Sequence, residues 1–291
     1  MKIEEFRTLI IDYIMASYEN VEATPYDTLK NNGVKLHGVC IKLDDSNVRP
    51  TIYLESYFKD YKYGISIENL ASQIMTIAKE HSFSRNFDTS IYDDFESIKN
   101  RLFTKIINTK QNEELLITVP SRSFMDLSIV VYCDVSDLCG VNATVLIKKE
   151  HIKGWKISEE EIIDIAYANT RSKGIELNDI CRYLDRELNE HEFPVDAYDR
   201  LFVFTNEEKL FGAICMTFDD VLDDFLSDRA DGAYIIPSSI HEVIIVPVTN
   251  ERMLSDINDI IESVNRFTVE KEEVLSEHAY YYSSSCGYRT V

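Results

Sequence analysis

The stretch from Tyr234 to Pro247 reads Tyr-Ile-Ile-Pro-Ser-Ser-Ile-His-Glu-Val-Ile-Ile-Val-Pro, two apolar runs separated by a short polar segment. Each run is apolar enough to form a buried strand, and Pro-Ser is a common way to leave one. The polar segment carries the side chains of Ser238, Ser239, His241 and Glu242. Burying a polar group without a partner costs about 1–3 kcal/mol, so these side chains are hydrogen-bonded, face solvent or serve a function. Chemistry could be concentrated here.

Helical and strand-like segments are mixed irregularly outward from this stretch. Apolar residues at helical spacing predict helices over Ile3–Tyr18, Ser66–His81, Asp93–Asn100, Ser158–Asn169, Leu177–Glu190, Phe218–Ser227 and Asn250–Phe267. Alternating or continuous apolar runs predict further strands over Val34–Leu43, Thr51–Leu54, Arg101–Asn108, Leu115–Val119, Leu127–Cys133, Ala143–Lys148, Leu201–Thr205 and Leu210–Met216. Because strict β-α alternation is absent, we expect an α+β fold with mixed or antiparallel sheets and flanking helices.

The chain carries no Pro/Gly/Ser-rich linker, and its weakest seam is Lys148–Lys156. We therefore expect two packed lobes, residues 1–150 and 151–270, followed by a Tyr/Ser-rich tail at 271–291 that packs loosely or frays. Residues 117–131 resemble the central stretch in plan, with Pro120-Ser121 in the place of Pro237-Ser238. An internal duplication is one interpretation of this likeness. The alternative is that Pro-Ser simply recurs where strands end.

The charge of the chain narrows the classes of partner. Asp and Glu number 51 against 30 Lys and Arg, a formal net charge of −21. Such a field repels phosphate, so we expect no nucleic-acid partner. We also expect no membrane segment, because no run approaches the roughly 20 apolar residues that a spanning helix needs. The N-terminus lacks a signal-peptide core and the six cysteines form no C-x-x-C pair, which favours reduced thiols and a cytoplasmic protein.

Several segments resemble one known family. They are Pro50–Leu54 with Tyr57, Tyr61 and Gly64, Val119–Leu127, Ala166–Thr170, Thr205-Asn206 with Phe211–Ala213, and Ile236–Val243. Together they are similar to the DUF5688 family, found largely in gut Firmicutes, over nearly the whole chain. The resemblance implies a bacterial cytoplasmic protein and assigns no activity. The plan of the C-terminal half is also similar to the DUF1444 family of Bacillus-type bacteria, which has no settled function.

The polar segment offers a candidate catalytic set. His241 could act as general base or ligand, Glu242 as its orienting carboxylate and Ser238 as nucleophile. Neighbouring residues of a strand point to opposite faces, so His241 and Glu242 share a site only if the turn extends through them. The alternative is a turn whose hydroxyls cap backbone groups while the imidazole and the carboxylate hold neighbouring loops.

Four further side chains are candidates for ligand binding: Arg122, Asp126, Asn169 and Ser239. Arg122 could present its two-pronged guanidinium to a carboxylate or phosphate, or it could pair with Asp126 and lock the loop. Asn169 could donate a specific hydrogen bond in a pocket, or it could cap the end of its helix. We expect no metal and no cofactor, because H-E-x-x-H, calcium-loop and phosphate-loop motifs are absent.

These observations favour a ligand- or protein-binding or regulatory module over an enzyme. If a site exists, we expect it where the Pro120 loop, the Pro237 loop and the end of the helix at Asn169 converge. One alternative is a hydrolase-like enzyme that uses His241 with Glu242 or Asp126. Another is an acidic decoy for a basic or nucleic-acid-binding partner, which would associate in a strongly salt-dependent way. The expected partner is an unidentified small molecule or protein.

Overall fold

The structure is a computed structural model that describes residues 1–43, 49–80, 94–139, 143–180, 201–237, 239–248 and 269–291, with Asn258, Ile261, Glu262 and Asn265. Its helices are α1 (Ile3–Ser17), α2 (Glu55–Lys62), α3 (Ile67–Glu80), α4 (Phe95–Ile98), α5 (Glu113–Leu116), α6 (Ser136–Cys139), α7 (Lys149–Trp155), α8 (Glu159–Ser172) and α9 (Asp219–Leu226). Its strands are β1 (Val21–Leu29), β2 (Lys35–Leu43), β3 (Thr51–Tyr53), β4 (Leu102–Asn108), β5 (Ser121–Phe124), β6 (Leu127–Asp134), β7 (Thr144–Leu146), β8 (Ile175–Asp179), β9 (Phe202–Asn206), β10 (Gly232–Ile236), β11 (Val243–Val248), β12 (Tyr280–Ser283) and β13 (Gly287–Thr290). Among the described helices, none is both long and apolar enough to cross a membrane.

The chain divides into two compact units. Unit 1 comprises Met1–Ile91 with Ser136–Ala143, and unit 2 comprises Tyr92–Val135 with Thr144–Val291. The two units are spatial groupings of residues and do not show which segments fold as lobes. The lobes expected at residues 1–150 and 151–270 therefore stay a prediction, and so does the duplication.

Unit 1 is a three-stranded antiparallel sheet in the order β1-β2-β3, with α1 packed on it. Phe6, Ile10 and Ile14 recur every four residues and are fully buried, so one face of α1 supplies the core. The predictions of α1, α3, β2 and β3 are confirmed. The sequence did not indicate β1, because Pro25 lies in its middle and Glu22 and Asp27 are exposed. Proline and charged residues are typical of edge strands, and β1 is one.

Unit 2 contains two antiparallel sheets. The first has the order β4-β6-β5, with β7 also paired to β6; the second has the order β13-β12-β10-β11-β9-β8. The stretch from Tyr234 to Pro247 forms the β10–β11 hairpin in the middle of the second sheet, with Ile235 opposite Ile245. A shared core joins both sheets, α9 and the 3₁₀ helix Gly212–Thr217, and includes Ile129, Phe204 and Ile235. The expected α+β class with antiparallel sheets is confirmed.

Two predicted strands are wrong. Leu115–Val119 contains the end of helix α5, and the partner of β4 is β6. Leu210–Met216 is not a strand, because most of it lies in the 3₁₀ helix Gly212–Thr217. Apolar runs of this length do not distinguish a buried strand from a buried helical turn.

Two predicted helices fall largely outside the described residues, and the C-terminal tail is ordered. The chain is extended as β8 at the start of the predicted helix Leu177–Glu190, and residues 181–190 lie outside the described residues. Most of the predicted helix 250–267 also lies outside them. The expectation of a loose tail is wrong, because β12 and β13 extend the six-stranded sheet and Tyr280–Ser283 is buried.

Candidate functional site

The polar segment between β10 and β11 closes on itself. The Ser239 hydroxyl donates to Glu242 Oε1 at 2.9 Å and accepts from the His241 backbone N–H at 2.9 Å. Ser239 is only 6% exposed. The Ser239 hydroxyl and the Glu242 carboxylate therefore hold the turn, as in the interpretation of this segment as a turn whose hydroxyls cap backbone groups. Ser238, the candidate nucleophile, lies outside the described residues.

The His241 imidazole is fixed by the backbone of a neighbouring loop. Its Nδ1 accepts a hydrogen bond from the N–H of Phe211 at 3.2 Å. That bond uses the Nδ1 lone pair, so the proton of the neutral ring lies on Nε2. Nε2 faces Glu273 Oε1 at 3.5 Å. In this arrangement the neutral ring has no free nitrogen lone pair to act as a general base, because Nδ1 accepts from Phe211 and Nε2 carries the proton.

Phe211 has a backbone conformation that is uncommon for an aromatic residue. Its φ is +56° and its ψ is 27°, in the left-handed region. That region costs an L-residue about 1–2 kcal/mol. Hydrogen bonds hold the residues around Phe211. The Asn206 side-chain amide accepts from Leu210 N at 3.2 Å and donates to Leu210 O at 2.8 Å. The Thr205 hydroxyl donates to His241 O at 2.7 Å. These hydrogen bonds keep Phe211 in the strained conformation. Backbone strain that the surrounding structure maintains in this way is concentrated at functional sites.

The ring of Phe211 lies at the centre of an aromatic and cationic group. It stacks on His241 at 5.5 Å between centroids and 16° between planes, and it meets Tyr132 edge-on at 5.0 Å. The Lys105 ammonium lies 4.5 Å from its centroid. Phe103 contacts Tyr132 at 5.9 Å. We call Phe103, Lys105, Tyr132, Phe211 and His241 the Phe211 cluster; β4 supplies the first two and β6 supplies Tyr132.

A charged group borders the Phe211 cluster. Lys173 lies 3.7 Å from the Phe103 centroid and pairs with Glu208 at 2.6 Å and Asp134 at 3.6 Å. Tyr132 is 2% exposed. Burial, followed by the charges of Glu208 and Asp134, raises the pKa of Tyr132 well above its usual range. The phenol is therefore a hydrogen-bond donor at every physiological pH.

Arg122 and Asp126 do not pair, so that interpretation of the Pro120 loop is wrong. Arg122 donates to Glu160 at 2.8 Å and to Asp164 at 2.7 Å, both on α8. Asp126 accepts from the Tyr280 hydroxyl at 2.7 Å and lies 3.1 Å from His278 Nε2. Each side chain is engaged by a different part of unit 2.

Asn169 closes the edge of β4. Its amide donates to Lys99 O at 2.7 Å and Leu102 O at 2.9 Å, and the neighbouring Thr170 hydroxyl accepts from Thr104 N at 2.7 Å. Helix α8 continues to Ser172, so the interpretation of Asn169 as a helix cap is wrong. The Asn169 amide therefore bonds a carbonyl of the 3₁₀ turn before β4 and the first carbonyl of the edge strand β4, which leaves no donor for a ligand.

The expected convergence of the two Pro-Ser loops stays a prediction. Its direct measure, the separation of Ser121 and Ser238, involves a residue outside the described part. The segment 273–278 contacts both regions, since Glu273 O accepts from Ile240 N at 2.9 Å and His278 meets Asp126. Ser239, His241 and Glu242 share one turn, whereas Arg122, Asp126 and Asn169 are bonded elsewhere. Lys105, Tyr132 and Phe211 were not anticipated as site residues.

Other features offer less for chemistry. No three His, Cys, Asp or Glu side chains within the described ranges are placed to hold a metal. Burial raises the pKa of the Cys215 thiol to about 12, which makes it a poor nucleophile. A cavity of about 690 Å³ lies in unit 1 beside Met15–Glu22 and Lys42, on a different unit from the Phe211 cluster.

The chain belongs to the family of unknown function DUF5688, whose match covers residues 3–284 of 291. The family suspected from the sequence is thereby confirmed. The fainter similarity to DUF1444 stays a prediction. No curated protein matches the chain, and no solved structure does.

Proposed function

For this member of DUF5688 we propose that the Phe211 cluster is the ligand-contact surface of a cytoplasmic binding or regulatory module without catalysis of its own. The observation that carries the proposal is the left-handed backbone of Phe211, held by its N–H bond to His241. Backbone strain that the surroundings impose is retained where position matters more than stability. Here it fixes an aromatic ring between an imidazole and the Lys105 ammonium.

The hydrolase alternative has less support. A general base at His241 needs a free ring nitrogen, whereas Nδ1 accepts from Phe211 and Nε2 faces Glu273. The Glu242 carboxylate accepts from Ser239. Turnover of a p-nitrophenyl ester by the wild type, lost in His241→Ala, would contradict the binding proposal.

The acidic-decoy alternative draws support from exposed carboxylates on α8 and α9. Glu160, Asp164 and Asp220 are 78%, 70% and 65% exposed, but Arg122 and Arg171 pair with them. These ion pairs reduce the net negative charge of the surface that a decoy would present to its partner. Association with a basic protein that disappears above about 0.3 M salt would favour this alternative over ours.

Native mass spectrometry of the full chain, purified without denaturation from the cells that make it, tests the proposal. His241→Ala removes the acceptor that holds Phe211, while Arg122→Ala removes only ion pairs to α8 and serves as control. We expect a co-purifying molecule in the wild type and in Arg122→Ala but not in His241→Ala. A bare wild type, or a molecule retained in His241→Ala, would overturn the proposal.

A further inference from the structure

The Tyr132 hydroxyl differs from the hydroxyls of three other tyrosines of unit 2. Tyr167 donates to Thr217 O at 2.9 Å, Tyr280 to Asp126 at 2.7 Å and Tyr282 to Asp223 at 2.7 Å. Tyr132 is only 2% exposed, yet its hydroxyl has no hydrogen-bond partner among the residues that the structure describes. The Tyr132 oxygen is also not fully enclosed by protein atoms. The hydroxyl is therefore a donor that no described residue uses.

Building on the proposed function, we propose that the Phe211 cluster binds the neutral amide or lactam group of a planar ligand, whose carbonyl oxygen accepts a hydrogen bond from Tyr132. A buried hydroxyl that the protein leaves unpaired discriminates strongly for ligands with the matching acceptor, because a ligand without one leaves the hydroxyl desolvated and unpaired. The rings of Phe103 and Phe211 supply apolar surface beside it.

The charges around Tyr132 select against an anionic ligand. Glu208 and Asp134 lie close enough to act on the Tyr132 phenol electrostatically. A carboxylate or phosphate oxygen at that hydroxyl would be repelled by both groups, and Lys173, which pairs with both of them, offsets only part of their charge. An amide oxygen avoids this repulsion. The amide N–H beside it finds acceptors of the right kind in the same two carboxylates.

The same surroundings select against a cationic ligand. Aromatic rings attract ammonium groups to their faces, but the Lys173 ammonium lies over Phe103 and the Lys105 ammonium over Phe211. A second cation would have to displace one of them against like-charge repulsion. A neutral group with adjacent acceptor and donor therefore fits best, as in a primary carboxamide or a heterocyclic lactam.

Three probes of nearly equal size separate these classes. Benzamide, benzoate and benzylamine share a ring and differ in charge, and each can be titrated against the full-length protein by saturation-transfer NMR. We expect benzamide to bind at least tenfold more tightly than the other two. Tyr132→Phe, which removes the donor and keeps the ring, should weaken benzamide at least fivefold. The control Tyr282→Phe, which removes a hydroxyl bonded to Asp223, should leave its affinity unchanged.

Equal or tighter binding of benzoate or benzylamine would overturn the ligand class. So would benzamide binding that survives in Tyr132→Phe. If the native protein carries a ligand that is lost in His241→Ala while benzamide does not bind, the amide class is wrong and the binding proposal stands. If the native protein is bare and no probe binds, both are wrong.

Discussion

Two aromatic regions of unit 2 use their hydroxyls in opposite ways. In the C-terminal tyrosine cluster, formed by Tyr280, Tyr282 and Tyr288 on β12 and β13, every hydroxyl donates, to Asp126, Asp223 and Met216 O respectively. In the Phe211 cluster the Tyr132 hydroxyl has no partner within the described residues, and the central backbone is strained. The first region is arranged for stability. The second keeps a strained loop and a donor without a partner in the described part of the chain, which selection for stability alone would remove.

Gly212→Ala should have the largest effect, because it tests how tightly the Phe211 loop is packed. A Cβ at this position would meet the Thr205 hydroxyl and would lie 2.6 Å from His241 O. We expect a loss of about 3 kcal/mol in the free energy of unfolding, measured by urea denaturation, because backbone atoms on both sides would have to move.

Gly154→Ala is the matched control for that substitution. No atom lies within 4 Å of its added Cβ, and Gly154 sits inside α7. Alanine there should raise the stability by about 0.5–1 kcal/mol through helix propensity. An equal, small effect of both substitutions would show that the loop is loosely packed.

Tyr280→Phe should cost about 1–2 kcal/mol, because it removes a donor to a carboxylate at 2.7 Å. The low end is expected since the Asp126 side chain is 48% exposed and water can replace the lost partner. The same measurement on Tyr282→Phe should give a similar loss through Asp223. No loss in either variant would remove the contrast between the two regions.

Two carboxylates beside the tyrosine cluster, Asp219 and Asp220, contribute to stability with opposite sign. Burial, then the charges of Asp223 and Asp220, raises the pKa of Asp219, whereas the hydrogen bond from Arg171 lowers the pKa of Asp220. Asp219 therefore favours the folded state only at low pH, and this contribution is lost as pH rises through its folded pKa. Asp220 contributes above its unfolded pKa of about 3.9, and its contribution is lost as pH falls through its folded pKa.

At pH 7, Asp219→Asn should therefore raise the melting temperature and Asp220→Asn should lower it. Each effect corresponds to about 0.5 kcal/mol, because Asp220 is exposed and Asp219 is only partly desolvated, so solvent screens both charges. Scanning calorimetry at pH 7 and at pH 3 checks the sign, since the difference should shrink in acid. A stabilising Asp220→Asn would contradict the assignment of Arg171 as its partner.

Local patterns predicted the parts of the fold that depend on periodicity. Phe6, Ile10 and Ile14 indicated α1, and the apolar runs within Tyr234–Pro247 indicated the strands β10 and β11. The tail was misjudged because its order comes from pairing across the sheet, such as Tyr281 opposite Tyr234. Leu210–Met216 was misassigned because apolar content says nothing about the positive φ of Phe211.

The candidate site was predicted only in its local part. Ser239, His241 and Glu242 are neighbours in sequence, and their polar character between two strands was visible. Tyr132 and Lys105 come from β6 and β4, whose approach to the Phe211 loop depends on tertiary packing. Arg122 and Asn169 were singled out by residue type, yet their partners on α8 and at Lys99 and Leu102 lie 38 to 70 residues away.

Urea unfolding of Tyr132→Phe beside the wild type tests the central claim most directly, because the variant removes one hydroxyl and keeps the ring. If that hydroxyl is reserved for a ligand, the free energy of unfolding should stay within about 0.5 kcal/mol of the wild type or rise, since no described residue bonds to the hydroxyl. A loss of 1 kcal/mol or more, as expected for Tyr280→Phe, would show that the hydroxyl stabilises the fold. The contrast between the two aromatic regions would then be wrong.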